Sequence, residues 1–214
     1  MSVYSILDKL QNRQHGLPAE YAERMIHPIP KAEVVNRREF VLERCKDKTV
    51  LDLGCAGTNG KGEFHAQIAE VATKAYGIDS QNCEHLEDVA TLNIDKPIEV
   101  WPWTTDGIEL IVAGELLEHL SNPGICLDGL NGAYPNAELL ITVPNAFSIG
   151  AFRSVRKGIE CCNRDHVAWF SHRTLRTLVE RHRYSVSDFK WYNGEVNVAE
   201  GLIFICHKAT NGHA

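Results

Sequence analysis

The sequence lacks any apolar run long enough to cross a bilayer, and its first residues lack the apolar core of a secretory leader. It has no surplus of positive charge. Its 22 Lys and Arg stand against 28 Asp and Glu, a formal net charge of -6. That balance argues against broad, sequence-independent binding of nucleic acid, which needs a strongly basic surface. None of the seven cysteines stands in a CxxC pair, and the adjacent Cys161 and Cys162 are poorly placed to share a metal. They read as free thiols in a reducing, cytoplasmic setting. Internal repeats, low-complexity tracts and a clear linker are also missing, which leaves little room for a multi-domain chain. What is present is ordinary globular composition. The 214 residues are 44% hydrophobic and 23% charged, enough to bury the core of one α/β domain.

Residues 1–45 read as a helical extension or lid. Val3, Ile6, Leu7 and Leu10 recur at helical spacing, Val34, Val35, Phe40, Val41 and Leu42 form a second stripe, and His27 to Pro30 breaks the chain between them. Residues 46–214 have a different texture. TVLDLG from Thr49, Ala75 to Ile78, Val89 to Ile94, Ile108 to Ala113, Leu139 to Val143, Tyr184 to Trp191 and Gly201 to His207 read as seven strands. Helices are expected near Glu63 to Val71 and over 173–181, the latter with Ser171 as its N-cap. Such alternation predicts an α/β fold: a seven-stranded, mostly parallel sheet flanked by helices, with right-handed crossovers.

The sharpest local signal is TVLDLGCAGTNGKG, Thr49 to Gly62. A strand runs into a glycine-rich turn that opens a helix, an arrangement that lets backbone N–H groups approach a nucleotide. Glycines at Gly54, Gly57, Gly60 and Gly62 do not fit the G-x-G-x-x-G dinucleotide pattern. Asp52, inside the strand, would repel a pyrophosphate; it suits the cationic amino end of a methionine-type ligand, reached through water. The next strand ends in YGID, whose Asp79 can accept from both hydroxyls of a ribose.

These residues resemble the class I S-adenosylmethionine-dependent methyltransferases over about residues 46–207. VLDLGCAG is similar to the first motif of that family, with Ala56 where glycine is commoner, and YGID is similar to the second. NIDKP stands at the third, with Asn93 in place of the usual Asp. IELIVAGELLEHL and ELLITVPN resemble the fourth and fifth strand segments. The resemblance implies a Rossmann-like fold, S-adenosylmethionine as cofactor, and contacts to it from Asp52, Gly54, Ala56, Gly57, Asp79, Asn93, Ile94 and Gly114.

GELLEHL places Glu115, Glu118 and His119 at i, i+3 and i+4, on one face if the segment makes a helical turn. Two carboxylates and an imidazole suit a divalent cation, although a lone His119 can equally pack, orient a loop or act as a base. NRDHVAWFS, Asn163 to Ser171, supplies a further histidine and aromatic rings. Together the two segments are similar to metal-dependent methyltransferases of the terminal ribose of small RNAs. The first also resembles the ubiquinone-pathway O-methyltransferases. The resemblance implies Glu115, Glu118, His119 and His166 as ligands of Mg, Mn or a similar ion, and His119 or His166 as general base in its absence. Arg153, Arg156, Lys157 and Arg164 form a cluster that reads first as a solvated basic loop and, as the alternative, as a contact to an acceptor phosphate. Trp101 and Trp103, in the loop before the fourth strand, either line the cofactor's adenine or cover the sheet, the latter being the favoured reading. The reading reached is an O-methyltransferase of a hydroxyl on a small or carrier-linked, sugar-like acceptor. The alternatives are an RNA ribose 2′-O-methyltransferase, an N-methyltransferase and a non-catalytic nucleotide-binding domain.

Overall fold

The apolar runs expected as strands line up in one sheet in the computed structural model, which describes residues 29–57, 59–83 and 86–209. The stripe from Val3 to Leu10 lies outside those residues. The chain from Ala32 onward forms one unit. In chain order its elements are β1 (Val34–Val35), α1 (Arg37–Cys45), β2 (Thr49–Leu53), α2 (Glu63–Val71), β3 (Lys74–Asp79), β4 (Val89–Thr91) and β5 (Leu110–Gly114). A 3-10 turn over Leu117–His119 follows, then α3 (Pro123–Ala133), β6 (Glu138–Pro144), α4 (Ile149–Val155), α5 (His172–Arg181), β7 (Tyr184–Tyr192) and β8 (Gly201–Lys208).

The sheet order is β1-β7-β8-β6-β5-β2-β3-β4. All neighbours run parallel except β8, which is antiparallel to both β6 and β7. The sheet has eight strands, one more than the sequence suggests. The extra strand corrects the helical reading of Val34 and Val35, which pair with Trp191 and Tyr192 at the sheet edge. Two adjacent β-branched residues favour extended backbone. Asn36 then starts α1 by accepting from the Glu39 N–H through its side chain.

Each face of the sheet carries its own core. Val50, Leu110, Val112 and Leu140 meet Val41 and Cys45 of α1 and Ile68 of α2. Leu51, Leu53, Ile111 and Ile141 meet Leu127 and Leu130 of α3 and Leu175 and Val179 of α5. Strands buried on both faces explain why they read as continuous apolar runs rather than alternating ones. Each fully buried Leu or Ile contributes about 1.5–3 kcal/mol. Trp101 belongs to this core and packs edge-on to Tyr134, while Trp103 stacks on Tyr76 at 4.7 Å. Ser171 caps α5 in a reciprocal box with Thr174.

The chain turns back between β4 and β5, so β2 has β3 on one side and β5 on the other. The crevice beyond the carboxyl ends of β2 and β5 is therefore the switch point of the sheet, where open α/β sheets receive ligands.

The first residue of α5, His172, lies against Phe189 at 4.6 Å and Phe204 at 5.3 Å. Burial depresses its pKa below the ordinary 6.5; Arg176 and Arg173 add to the effect and Glu180 opposes it. The folded state therefore binds this proton less readily than the unfolded chain. The resulting stability is complete above about pH 6.5 and is lost as pH falls toward the folded pKa. Between about pH 7.5 and 5.5 the urea midpoint of the wild type should fall further than that of His172→Phe. Equal falls would remove His172 as the source.

Candidate active site

The first half of the site is the turn after β2. Gly54, Gly57, Gly60 and Gly62 all adopt positive φ, between 63° and 75°. Gly62 is the most constrained, because a Cβ there would also fall 2.7 Å from Leu86 Cδ1; at Gly54 it would press on Leu116 Cδ1 at 3.3 Å. The turn is tied to the end of β3 by the Gly54 N–H donating to Ile78 O at 2.8 Å, and closed by Gly62 N–H donating to Ala56 O at 2.9 Å.

Asp79 organises this turn. Its Oδ2 accepts from Ala56 N–H and its Oδ1 from Gln81 N–H, each at 2.9 Å. A carboxylate has about four acceptor directions, so each oxygen retains capacity for a ligand hydroxyl. Asp52 is buried one strand away, with Oδ2 at 3.0 Å from His65 Nδ1 of α2. Desolvation raises the Asp52 pKa, and the hydrogen bond and charge of His65 pull it back. Two acids beside one glycine turn favour a cationic ligand over a pyrophosphate. Asn93 is exposed and its Oδ1 accepts from Asp95 N–H at 3.0 Å, whereas Ile94 is buried.

The second half follows β5. Gly114 ends the strand, and Glu115 takes a left-handed conformation, φ 52°. The backbone therefore does not enter a helix at Glu115; only Leu117–His119 form a helical turn. The single face expected for Glu115, Glu118 and His119 does not form. Glu115 points to a different set of partners: its Oε1 accepts from Thr142 Oγ1 and from Tyr192 Oη, each at 2.8 Å, with Arg37 Nη1 at 4.0 Å. Tyr192 reaches it by lying across β8 at Gly201, where a Cβ would fall 1.9 Å from the ring. Arg37, Tyr192 and Gly201 belong to no motif, Thr142 falls inside ELLITVPN without being singled out by it, and nothing local in the sequence marks these four as partners of Glu115.

His166 does converge. Glu118 O accepts from Val167 N–H at 2.8 Å and from Ala168 N–H at 3.3 Å, which fastens the 163–170 loop over the 3-10 turn. The His119 and His166 rings meet edge to face at 4.6 Å. Ligand-capable atoms of Glu118, His119 and His166 all lie within 4.8 Å of one another.

Glu118 is 1% exposed, and neither carboxylate oxygen has a protein partner; His166 Nδ1 is also buried and unpartnered. Burial, and secondarily the charge of Glu115, push the Glu118 pKa up to about 8. Burial and the neighbouring His119 lower that of His166, so its imidazole stays neutral at physiological pH. A buried acid without partners beside two imidazoles is costly for a protein to maintain, and it fits a bound cation. A separate cavity lined by Lys48, Glu109, Tyr134, Glu138 and His207 sits at the opposite, amino ends of the strands.

The doubly tied acid at the end of β3, the glycine turn at the switch point and the terminal antiparallel β8 define a class I S-adenosylmethionine-dependent methyltransferase. The family model described as a methyltransferase domain matches residues 21–186, and the chain belongs to that family.

No curated protein sequence matches the chain. Among solved structures, it resembles the small RNA methyltransferase HEN1 with a TM-score of 0.63 and 14% identity, covering 88% of this chain and 27% of that one. The chain thus spans about a quarter of HEN1. It resembles the 1,6-didemethyltoxoflavin-N1-methyltransferase of Burkholderia thailandensis, solved with S-adenosylhomocysteine, at TM-score 0.57 and 15% identity, covering 81% and 77% of the two chains. For a SAM-dependent methyltransferase from Aquifex aeolicus the values are 0.53, 18%, 96% and 98%. At these identities the likeness shows a shared fold.

Proposed function

We propose that the chain transfers the methyl group of S-adenosylmethionine to a hydroxyl oxygen of a small or carrier-linked, sugar-like acceptor. The supporting observation is the buried Glu118 carboxylate, unpartnered and flanked by His119 and His166, at the carboxyl end of the strand beside the cofactor turn. Methylation of a neutral amine needs no such group; an alcohol must lose its proton.

In this reading Asp79 accepts from the ribose hydroxyls with its free acceptor directions. Gly54, Ala56, Gly57 and Gly114 bring backbone close to the cofactor. Ile94 and Asn93 border the adenine, and Asp52, held by His65, faces the cationic methionine end. Glu118, His119 and His166 would hold a divalent cation, which supplies a lowered hydroxyl pKa and a fixed acceptor orientation. The remaining work belongs to the protein. It aligns acceptor oxygen, methyl carbon and sulfur and excludes water; with no cation bound, His166 or His119 would instead take the proton. Glu115, anchored by Thr142, Tyr192 and Arg37, adds negative charge beside the cluster.

Manganese binding to the full chain tests the ligand set. One ion per chain is expected, with affinity reduced at least about a hundredfold in His166→Ala and by a smaller factor, about tenfold, in Glu115→Gln. Unchanged binding in His166→Ala would remove it as a ligand.

RNA ribose is the second reading. The HEN1 likeness supports it, and the net charge of -6 weighs against it.

A further inference from the structure

Ten large hydrophobic side chains are markedly exposed among the described residues, and seven of them fall between positions 147 and 169. Five occupy one short stretch: Phe147, Ile149, Phe152, Val155 and Ile159. Helix α4 within it has no buried residue at all. Phe147 and Phe152 stack on each other at 6.4 Å, forming an outward apolar ridge rather than packing inward. The same stretch carries Arg153, Arg156 and Lys157, all exposed, and residues 147–159 contain no Asp or Glu. In a chain of net charge -6 this is a local reversal of sign. A soluble surface rarely leaves such a contiguous apolar patch open.

We propose that residues 147–159 dock on an anionic lipid surface, with the apolar side chains entering the headgroup–acyl boundary and the cations meeting lipid phosphates. Exposed aromatic and aliphatic groups beside cations are the chemistry of an interfacial segment. A second copy of the chain is a poorer occupant, because a two-fold contact would set Arg153, Arg156 and Lys157 against their own counterparts. Single-stranded nucleic acid is also poorer. The two rings of the face, Phe147 and Phe152, stack on each other, and its other apolar members, Ile149, Val155 and Ile159, offer no ring face for a base. No helix of the described residues is long and apolar enough to cross a membrane, so the contact is peripheral.

The face borders the acceptor cluster. Asn145 bridges to Phe170, and Ala146 N–H donates to Phe170 O at 2.8 Å, joining the segment that leads into α4 to the loop that carries His166. On that loop Val167 is 62% and Trp169 39% exposed, with Trp169 6.4 Å from the His166 ring. Docking would therefore bring Glu118, His119 and His166 toward the lipid surface, where a hydroxyl compound with an apolar tail is held. That consequence rests on the acceptor site proposed above; the docking does not.

Cosedimentation of the full chain with vesicles tests it. Vesicles of phosphatidylcholine with about 30 mol % phosphatidylserine should bind at least about tenfold more protein than pure phosphatidylcholine, and salt should weaken the difference. Phe152→Asp, and separately the pair Arg153→Glu with Arg156→Glu, should each cut binding about tenfold while melting temperature and S-adenosylmethionine affinity stay unchanged. Those controls read fold and cofactor site independently, so failure of docking and failure of the methyltransferase site are separable. Three results would overturn the proposal: no binding to the anionic vesicles, binding that the variants leave intact, or a wild-type dimer that Phe152→Asp dissociates. Tighter binding to a short single-stranded RNA, competing with vesicles, would reassign the face to nucleic acid.

Discussion

Asp79→Ala should weaken S-adenosylmethionine binding by at least about a hundredfold, the largest single loss expected at the cofactor end. Two hydrogen bonds from ribose hydroxyls to a charged acceptor are worth about 3 kcal/mol or more together. The same carboxylate also holds the Ala56 and Gln81 N–H groups, so its removal leaves two donors of the turn without their acceptor. Some loss of folding stability, about 1–3 kcal/mol, should accompany the change. Asp79→Asn separates the two effects. One amide oxygen still accepts while the amide NH2 faces the other N–H, so stability should recover only in part and cofactor affinity should stay clearly below wild type. Calorimetric titration and thermal melting measure both. An Asp79→Ala protein that keeps full affinity would remove Asp79 from the ribose site.

Glu118→Gln should abolish methyl transfer, reducing it by about a thousandfold or more, while leaving S-adenosylmethionine affinity within about twofold of wild type. Gln matches Glu in size and removes only the charge. In the metal-free protein the wild-type carboxyl is buried with no partner on either oxygen, and its pKa is accordingly raised to about 8. A neutral amide in its place should leave metal-free stability unchanged or slightly higher. Manganese should raise the melting temperature of the wild type and not that of the variant. This opposite pattern, equal or greater stability with lost transfer, is unlike that of a residue serving only the core. If Glu118→Gln melts far below wild type and still transfers methyl groups, Glu118 is a packing residue and the acceptor site lies elsewhere.

The central strands are readable from sequence because β2, β3, β5 and β6 are short apolar runs that stop at Gly54, Asp79, Gly114 and Pro144. Burial on both faces gives each the same signature whatever its neighbours. Strand β1 is not readable. Two residues at a sheet edge carry no period, and they hold extended backbone by pairing with Trp191 and Tyr192, more than 150 positions away. The glycine turn announces itself, since positive φ selects glycine locally. Glu115 does not. Its left-handed backbone and its partners Arg37, Thr142 and Tyr192 are decided by the tertiary fold, so Glu115 does not point where helical spacing would place it. His166 lies between these cases. The residue types of the loop suggest a site, but the convergence depends on the backbone N–H groups of Val167 and Ala168 reaching Glu118 O. No side-chain pattern encodes that pairing.

The most direct measurement is transfer of radiolabelled methyl from S-adenosylmethionine onto matched acceptors, polyols and sugars in one set and amines in the other, with added Mg or Mn and again with EDTA. Label should appear on the hydroxyl acceptors and fall at least about a hundredfold with EDTA. Label confined to the amines, at a rate that EDTA leaves unchanged, would contradict hydroxyl methylation at the Glu118, His119 and His166 cluster.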